Sequence, residues 1–493
     1  MTRCHLALVS WLCIAAPVAA QTDRAEAVAR STVQGEAVVT GTSRSGRSGL
    51  TYVYIRPAVG GIEVADDPAL VVVDDNGIIV YRHGTLEAGA VESDAERLAP
   101  AEAAQRAAGA LGLAGITAVA GRAPGSARPG ETQLIGPGLG AASSARRVFV
   151  RTDAGVLRLA YEVALYPADP AAWAVSHIDA ATGEVLSLRR LAVAESGAMP
   201  VARPEVPVEL PVQPAAVLAG SAAGGASDGA SYLAFPGRSP LDGDRVLLRS
   251  PALVAASPYG WHDTDGLPGA EFTTTRGNNV HAFPDRDSDG LPDAAGTPDG
   301  GASLVFAPPL DLGGEPSSYT EAAVTNAFVW ANHAHDVLYG YGFDEAGGNF
   351  QANGYGRGGD PRPDPVTIFV QNGSSTDNAY MAVPPDGGSP SLLLLESTRT
   401  APRRDFAFDT EVVLHEYAHG VTTRLTAGGG PSTSQCIGIG IEDQGLSEGW
   451  SDWYAMMLTM RPGDTRTTPR TYGTYTAGVP GGARSVPYTT AFA

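Results

Sequence analysis

The sequence predicts an α+β protein in which a mixed, strand-rich module precedes a longer region with a different texture. Three observations carry this. Residues 49–81 alternate in the strand manner, with Asn76-Gly77 set between two β-rich runs. One Ala-rich stretch, Pro100 to Leu111, has its proline near the start, as a first helical turn tolerates. Beyond residue 231, aromatic residues and histidines concentrate, and two segments, Glu321 to Leu338 and Asp409 to Leu425, have helical periodicity. A chain of 493 residues has room for about three domains of ~150 residues.

Taken in order, the first twenty residues carry Arg3, an apolar stretch from Leu6 to Ala15, and small residues at Val18 and Ala20. This is the pattern of a secretory signal peptide over 1–20, too short to span a membrane, and no later stretch is apolar enough to do so. Cleavage after Ala20 removes Cys4 and Cys13 and leaves Cys436 alone, so no disulfide framework forms within the chain. Residues 21–198 then read as a small α+β module. Strands are expected at Thr51–Arg56, on either side of the Asn76-Gly77 turn within Val71–Val80, and at Arg147–Thr152, Leu157–Leu165, Trp173–Ile178 and Glu184–Leu188, and no ligand cluster or nucleophile occurs among them. Such a module is a pro-region or a binding module. Residues 199–230 hold five prolines by Pro214 and then mostly Ala, Gly and Ser, a composition that buries too little surface to fold. This is a linker and an exposed site for activation cleavage.

Charge excludes one class of partner. All 33 basic residues are Arg, against 53 acidic ones, for a net charge of −20, and no Arg run exceeds a pair. Nucleic-acid binding is disfavoured.

The chemistry lies in the last part, 231–493. His415 and His419 are four residues apart, so on a helix both rings project from one face, with Glu416 between them. In this His-Glu-x-x-His pattern two neutral imidazoles hold a zinc ion and the glutamate is the general base. Glu448, in Ser447-Glu-Gly-Trp-Ser-Asp452, supplies a third ligand, and a His₂Glu set leaves zinc one open position. On a helix starting near Ser447, Asp452 lies one turn beyond Glu448 and can accept the outward N–H of a ligand histidine. Peptide hydrolysis is the reaction class to which this set points.

His415-Glu-Tyr-Ala-His-Gly420, Glu448-Gly-Trp-Ser-Asp452 and the stretch Asn332 to Gln351 resemble the fungalysin metallopeptidases, relatives of thermolysin. Thr51 to Val64 is similar to the fungalysin/thermolysin propeptide motif and Ser176 to Val185 to a PepSY-type strand pair. The resemblance implies a secreted zymogen whose propeptide inhibits the enzyme. It also implies a peptidase domain with a strand-rich N-terminal lobe and a helical zinc-binding lobe. It gives Asn378 and Ala379 as the pair that binds extended substrate backbone, against the reading of an ordinary polar loop. His335 and Asp336 match a family motif and read as core.

Two departures stand out. Relatives carry a further histidine on a downstream helix that stabilises the oxyanion, and no His follows His419 here, so the domain is expected to be truncated, its C-terminal helices incomplete. Asp285, Asp287 and Asp289 open a calcium-type loop with Gly290 in sixth place, yet position 12 is Gly296. A Ca²⁺ site completed by other residues and a solvated acidic turn both fit. The alternative for the whole chain is a calcium-stabilised secreted binding or adhesion protein with a vestigial peptidase site.

Overall fold

A computed structural model describes residues 21–44, 49–65, 69–113, 119–121, 130–139, 143–167, 169–194, 228–384, 386–427 and 441–490. The expected signal peptide, residues 199–227 of the expected linker, and Cys436 lie outside them. The protein mixes helices and strands, as the α+β expectation has it, and divides into two units. The described residues up to Pro167 and Ala174–Arg189 form the first, and those of 169–173 with nearly all from Arg190 onward form the second.

In the first unit, helix α1 covers residues 21–30 and is followed by β1 (Glu36–Arg44), β2 (Thr51–Val59), β3 (Ile62–Glu63), β4 (Ala69–Val73) and β5 (Ile79–His83). Their sheet runs β1-β2-β4-β5, with β3 on β2. The Asn76-Gly77 signal makes the β4–β5 turn. Gly77 takes φ 81°, a left-handed value that glycine adopts without strain, and Asp74 Oδ1 accepts from Asn76 N at 2.9 Å and Ile78 N at 2.7 Å. A second sheet takes β6 (Val91–Ser93), β7 (Val119–Gly121), β8 (Glu131–Ile135), β9 (Ser144–Arg151), β10 (Leu157–Leu165), β11 (Ala174–Asp179) and β12 (Val185–Arg190). Helix α2 (Pro100–Ala110) buries Ala103, Ala104, Ala107 and Ala108 in one core with Phe149, Leu159 and Tyr161 of this sheet. Small residues at helical spacing let the helix lie close to the strands.

The second unit contains β13 (Ala192–Ala194), β14 (Ser231–Ala234), β15 (Val246–Arg249), β16 (Val280–Pro284), β17 (Val305–Phe306), β18 (Val366–Val370), β19 (Ala379–Ala382), β20 (Ser391–Leu394), β21 (Glu396–Ser397) and β22 (Arg404–Asp405). Its helices are α3 (Thr320–Tyr339), α4 (Thr410–Ala427), α5 (Ile441–Leu458) and the single turn α6 (Thr474–Ala477). Five strands form a sheet in the order β13-β19-β20-β18-β16. β16, β18 and β20 pair in parallel, and their mostly apolar runs suit a sheet covered on both faces. β19 runs antiparallel to β20, and β13 pairs antiparallel along its other side with Ala192 opposite Ala382, Val193 opposite Met381 and Ala194 opposite Tyr380. β21 and β22 form a short hairpin ahead of α4.

Helix α3 is buried nearly all round, its polar Asn326, Asn332, His335 and Asp336 included. Near its end, Asp336 accepts from Leu253 N at 2.8 Å, Ser257 Oγ at 2.7 Å and Trp261 Nε1 at 2.9 Å, and lies 3.0 Å from His335 Nδ1. Both residues sit in the core. No described helix is long and apolar enough to cross a membrane.

Candidate metal centre

Helix α4 has no polar face. Val412 to His419 are all at most 1% exposed, so the two histidines and Glu416 are carried through the middle of the unit. At its C-terminal end Arg424 is gripped from several sides, donating to Asp364 at 2.9 Å, Asp386 at 3.0 Å and the carbonyls of Gly348 and Gly388. At its start Asp409 accepts from Thr476 N and Oγ1 of α6, both at 3.0 Å, and burial together with the neighbouring Glu411 pushes its carboxyl up to about 7. Both ends are anchored.

His415 and His419 stand edge to face with ring centroids 4.6 Å apart. Their Nδ1 atoms are held from α5. His415 Nδ1 is 2.8 Å from Asp452 Oδ1, and His419 Nδ1 is 3.0 Å from Ser447 Oγ and 3.1 Å from Ser451 Oγ. Engaging Nδ1 turns each Nε2 inward. Both meet the Glu448 carboxylate, His415 Nε2 at 3.0 Å and His419 Nε2 at 3.5 Å, and one ligand atom from each of the three residues lies within 4.8 Å of the others. His419 Nε2 and Glu448 Oε1 are buried with no hydrogen bond to any described residue. Two imidazole nitrogens and a carboxylate oxygen are a donor set suited to zinc. Burial, reinforced by His415, pushes the His419 imidazole down to about 3, so it is neutral and able to ligate at any ordinary pH. Burial would raise the Asp452 carboxyl, yet hydrogen bonds from His415 and Arg484 hold it well below the usual range and keep it ionised. Glu416 is fully buried on the same helix, between the two histidines.

Helix α5 differs from expectation in its start. It begins at Ile441, six residues before Ser447, so Glu448 and Asp452 project from its middle and not from its first turn. Gly445 and the serine at 447 look like a helix boundary in sequence, and the helix runs through both.

Residues with no sequence signal complete the surroundings. Arg484 donates through Nε to Asp452 Oδ2 at 2.6 Å and through a terminal nitrogen to Asp452 Oδ1 at 2.8 Å, while another contact reaches Glu448 Oε2 at 3.5 Å. Tyr488 donates its hydroxyl to the same aspartate. The Arg484 guanidinium lies 4.6 Å over the ring of Tyr472, which is itself 5.1 Å from His415. Both Arg484 and Tyr488 come from an irregular segment, where no period or spacing marks them.

Other expected site residues stand apart from this group. Ala379 opens β19 and Asn378 precedes it, its Oδ1 2.9 Å from Ala379 N. β19 nevertheless lies against α4. A Cβ at Gly420, the residue after His419, would fall 2.6 Å from Met381 Cε and 3.0 Å from the Phe350 ring. Asp285, Asp287 and Asp289 gather their carboxylates within 4.8 Å, with Asp285 buried and bonded to Asn372 Nδ2 at 2.7 Å, and the other two exposed. Gly296, at position 12 of that loop, packs against Thr320 and Pro284 and offers no side-chain oxygen.

Residues 231–493 match the model of the fungalysin metallopeptidase (M36) family. The chain belongs to that family. Among fungalysin-like relatives, "Extracellular metalloproteinase MEP" of Neosartorya fischeri is 38% identical over 251 residues, which are 51% of this chain and 38% of that protein. The protein of the same name from Pyricularia oryzae is 39% identical over 246 residues, 50% of this chain and 38% of that one. "Extracellular metalloproteinase 10" of Coccidioides posadasii is 37% identical over 267 residues, 53% and 41% of the two chains. The fungalysin chain thus spans about two fifths of the length of these curated relatives. A solved structure, the Bacillus megaterium YpeB C-terminal domain, is matched over 31% of this chain at 11% identity with a TM-score of 0.16, too slight a likeness to describe the fold.

Proposed function

We propose that the protein is a secreted zinc endopeptidase made as a zymogen. One observation carries the reading: two buried histidines on one helix turn their Nε2 atoms towards the carboxylate of Glu448, with Glu416 between them. His415, His419 and Glu448 would hold the ion. When bound, zinc lowers the pKa of a coordinated water towards ~7 and polarises the scissile carbonyl. The Glu416 carboxylate takes the proton from the attacking water and later gives it to the leaving amine. Asp452 keeps the His415 tautomer that presents Nε2 inward, and Ser447 and Ser451 do the same for His419. Substrate backbone lies along β19 near Asn378 and Ala379 as an added strand. A calcium-stabilised adhesion protein with a vestigial site has less behind it, because such a module has no use for a buried carboxylate between two ligand histidines.

Asp452→Asn tests the orienting role. An amide accepts the His415 N–H more weakly and loses its charge pairing with Arg484, so zinc affinity is expected to fall by roughly 10–100-fold. Competition with a chromophoric chelator measures it, and unchanged affinity would remove Asp452 from the site.

The zymogen reading takes its support from β13. Residues 192–194 precede the linker and already pair along β19, the strand on which we lay the substrate, so a segment of the pro-region stands where substrate would add. Removal of residues 21 to about 225 would clear it. The secreted, active protein is then expected to begin between Ser221 and Tyr232, and the released module to inhibit in trans. N-terminal sequencing decides this. A fully active protein that still begins near Gln21 would make the first unit an accessory domain.

A further inference from the structure

We infer that Asp377 is a positioning residue for peptide substrate, fixing the end of β19 at which Asn378 stands. This rests on the reading of Asn378 and Ala379 as the backbone-binding pair. β18 ends at Val370, and residues 373–376 of the connection to β19 are exposed. The connection is tied down at its last step. Asp377 has φ 62°, in the left-handed region where Asp and Asn are tolerated better than other side chains. Its N–H donates to Glu396 O at 2.9 Å. Its Oδ1 accepts from Thr398 N at 2.8 Å, and its Oδ2 accepts from Thr398 Oγ1 at 2.6 Å and Thr376 Oγ1 at 3.2 Å. Arg399 Nε stands 3.9 Å away as the nearby cation. These hydrogen bonds and the Arg399 charge outweigh burial, and the carboxyl is held below its ordinary value.

The partners matter because of where they lead. Glu396 belongs to β21 and Thr398 follows it. Ser397 between them donates to Thr476 O at 2.7 Å, inside α6. β21 pairs with β22, whose Asp405 caps the turn Phe406–Phe408 that runs into α4. Asp409 at the mouth of α4 is bonded to the same Thr476. Asp377 therefore fastens Asn378 to the structure that anchors the start of α4, the helix of His415. A plain turn residue would need only the backbone bond, whereas this carboxylate adds bonds to both Thr398 and Thr376 and reaches across to the hairpin. Paired β13 stops at Tyr380, one residue short of Ala379. Where the described pairing ends, Asp377 is the part of the connection tied to the hairpin.

The test uses the zinc-loaded, processed enzyme and an extended peptide substrate. Asp377→Ala is expected to raise KM about tenfold with kcat and zinc content within about twofold of the parent, the signature of lost ground-state positioning. Asp377→Asn, which tolerates the same φ and still accepts from Thr398, should recover most of the loss. Thr398→Val, at an exposed position, should shift KM about two- to fourfold the same way and serves where Asp377→Ala does not fold. A wild-type KM in a folded Asp377→Ala or Thr398→Val protein overturns the inference, as does a lowered melting temperature with KM unmoved. Asn378→Ala is measured beside them. Its KM raised while Asp377→Ala stays normal sinks the Asp377 role alone. Its KM unchanged sinks the edge-strand reading, and the positioning role with it.

Discussion

Glu416→Gln is expected to keep its zinc and lose peptidase activity by about 10²–10⁴-fold or more. The glutamine is nearly isosteric, and Glu416 is fully buried within α4, so the helix and the three ligands have no reason to move. What disappears is the ability to take a proton from water and return it to nitrogen. The charge also vanishes, and with it the attraction that orients the attacking water. Because the substitution leaves His415, His419 and Glu448 untouched, metal analysis and turnover separate cleanly. A variant with full zinc and near-normal activity would mean that another group moves the proton, while loss of the metal would mean that Glu416 supports the ligand set.

Replacing both histidines, His415→Ala with His419→Ala, is expected to abolish stoichiometric zinc. Only Glu448 would remain of the three ligand residues, and structural zinc sites draw apparent binding free energies of about 10–16 kcal/mol from a complete set. The purified variant is assayed for zinc and calcium together. Zinc at one equivalent per chain would place the ion elsewhere. Calcium that survives the double substitution and is lost on Asp285→Ala would belong to the Asp285, Asp287 and Asp289 loop, which shares no residue with the zinc group.

How much could be read without coordinates follows from how local each signal is. The histidine pair was legible because a spacing of four has one meaning on a helix, and the hairpin because Asn76-Gly77 suits few other backbones. Glu448 and Asp452 could be found by residue type and mutual spacing. The start of α5 could not, since Gly445 lowers local helix preference and no Ser, Thr, Asp or Asn directly precedes Ile441 to cap it. Arg484 lies 32 residues past Asp452, and no rule of periodicity brings a loop arginine back onto a carboxylate. β13 was hidden for a different reason. Three short residues, Ala-Val-Ala, beside a proline-rich stretch carry no strand pattern, and their partner β19 is nearly two hundred positions away in the chain. Pairings of that kind are written in the fold as a whole.

The contact at Gly420 bears on how the two parts of the proposed site are joined. The helix proposed to offer metal ligands and the strand read as the seat for substrate backbone meet where an added methyl would crowd Met381 Cε and the Phe350 ring, directly after His419. An added methyl there would press on the flexible end of Met381 and on the Phe350 ring, so the contact is close and gives first at Met381. Residue 420 is therefore the place where a single added carbon on α4 would be felt first on β19, at Met381.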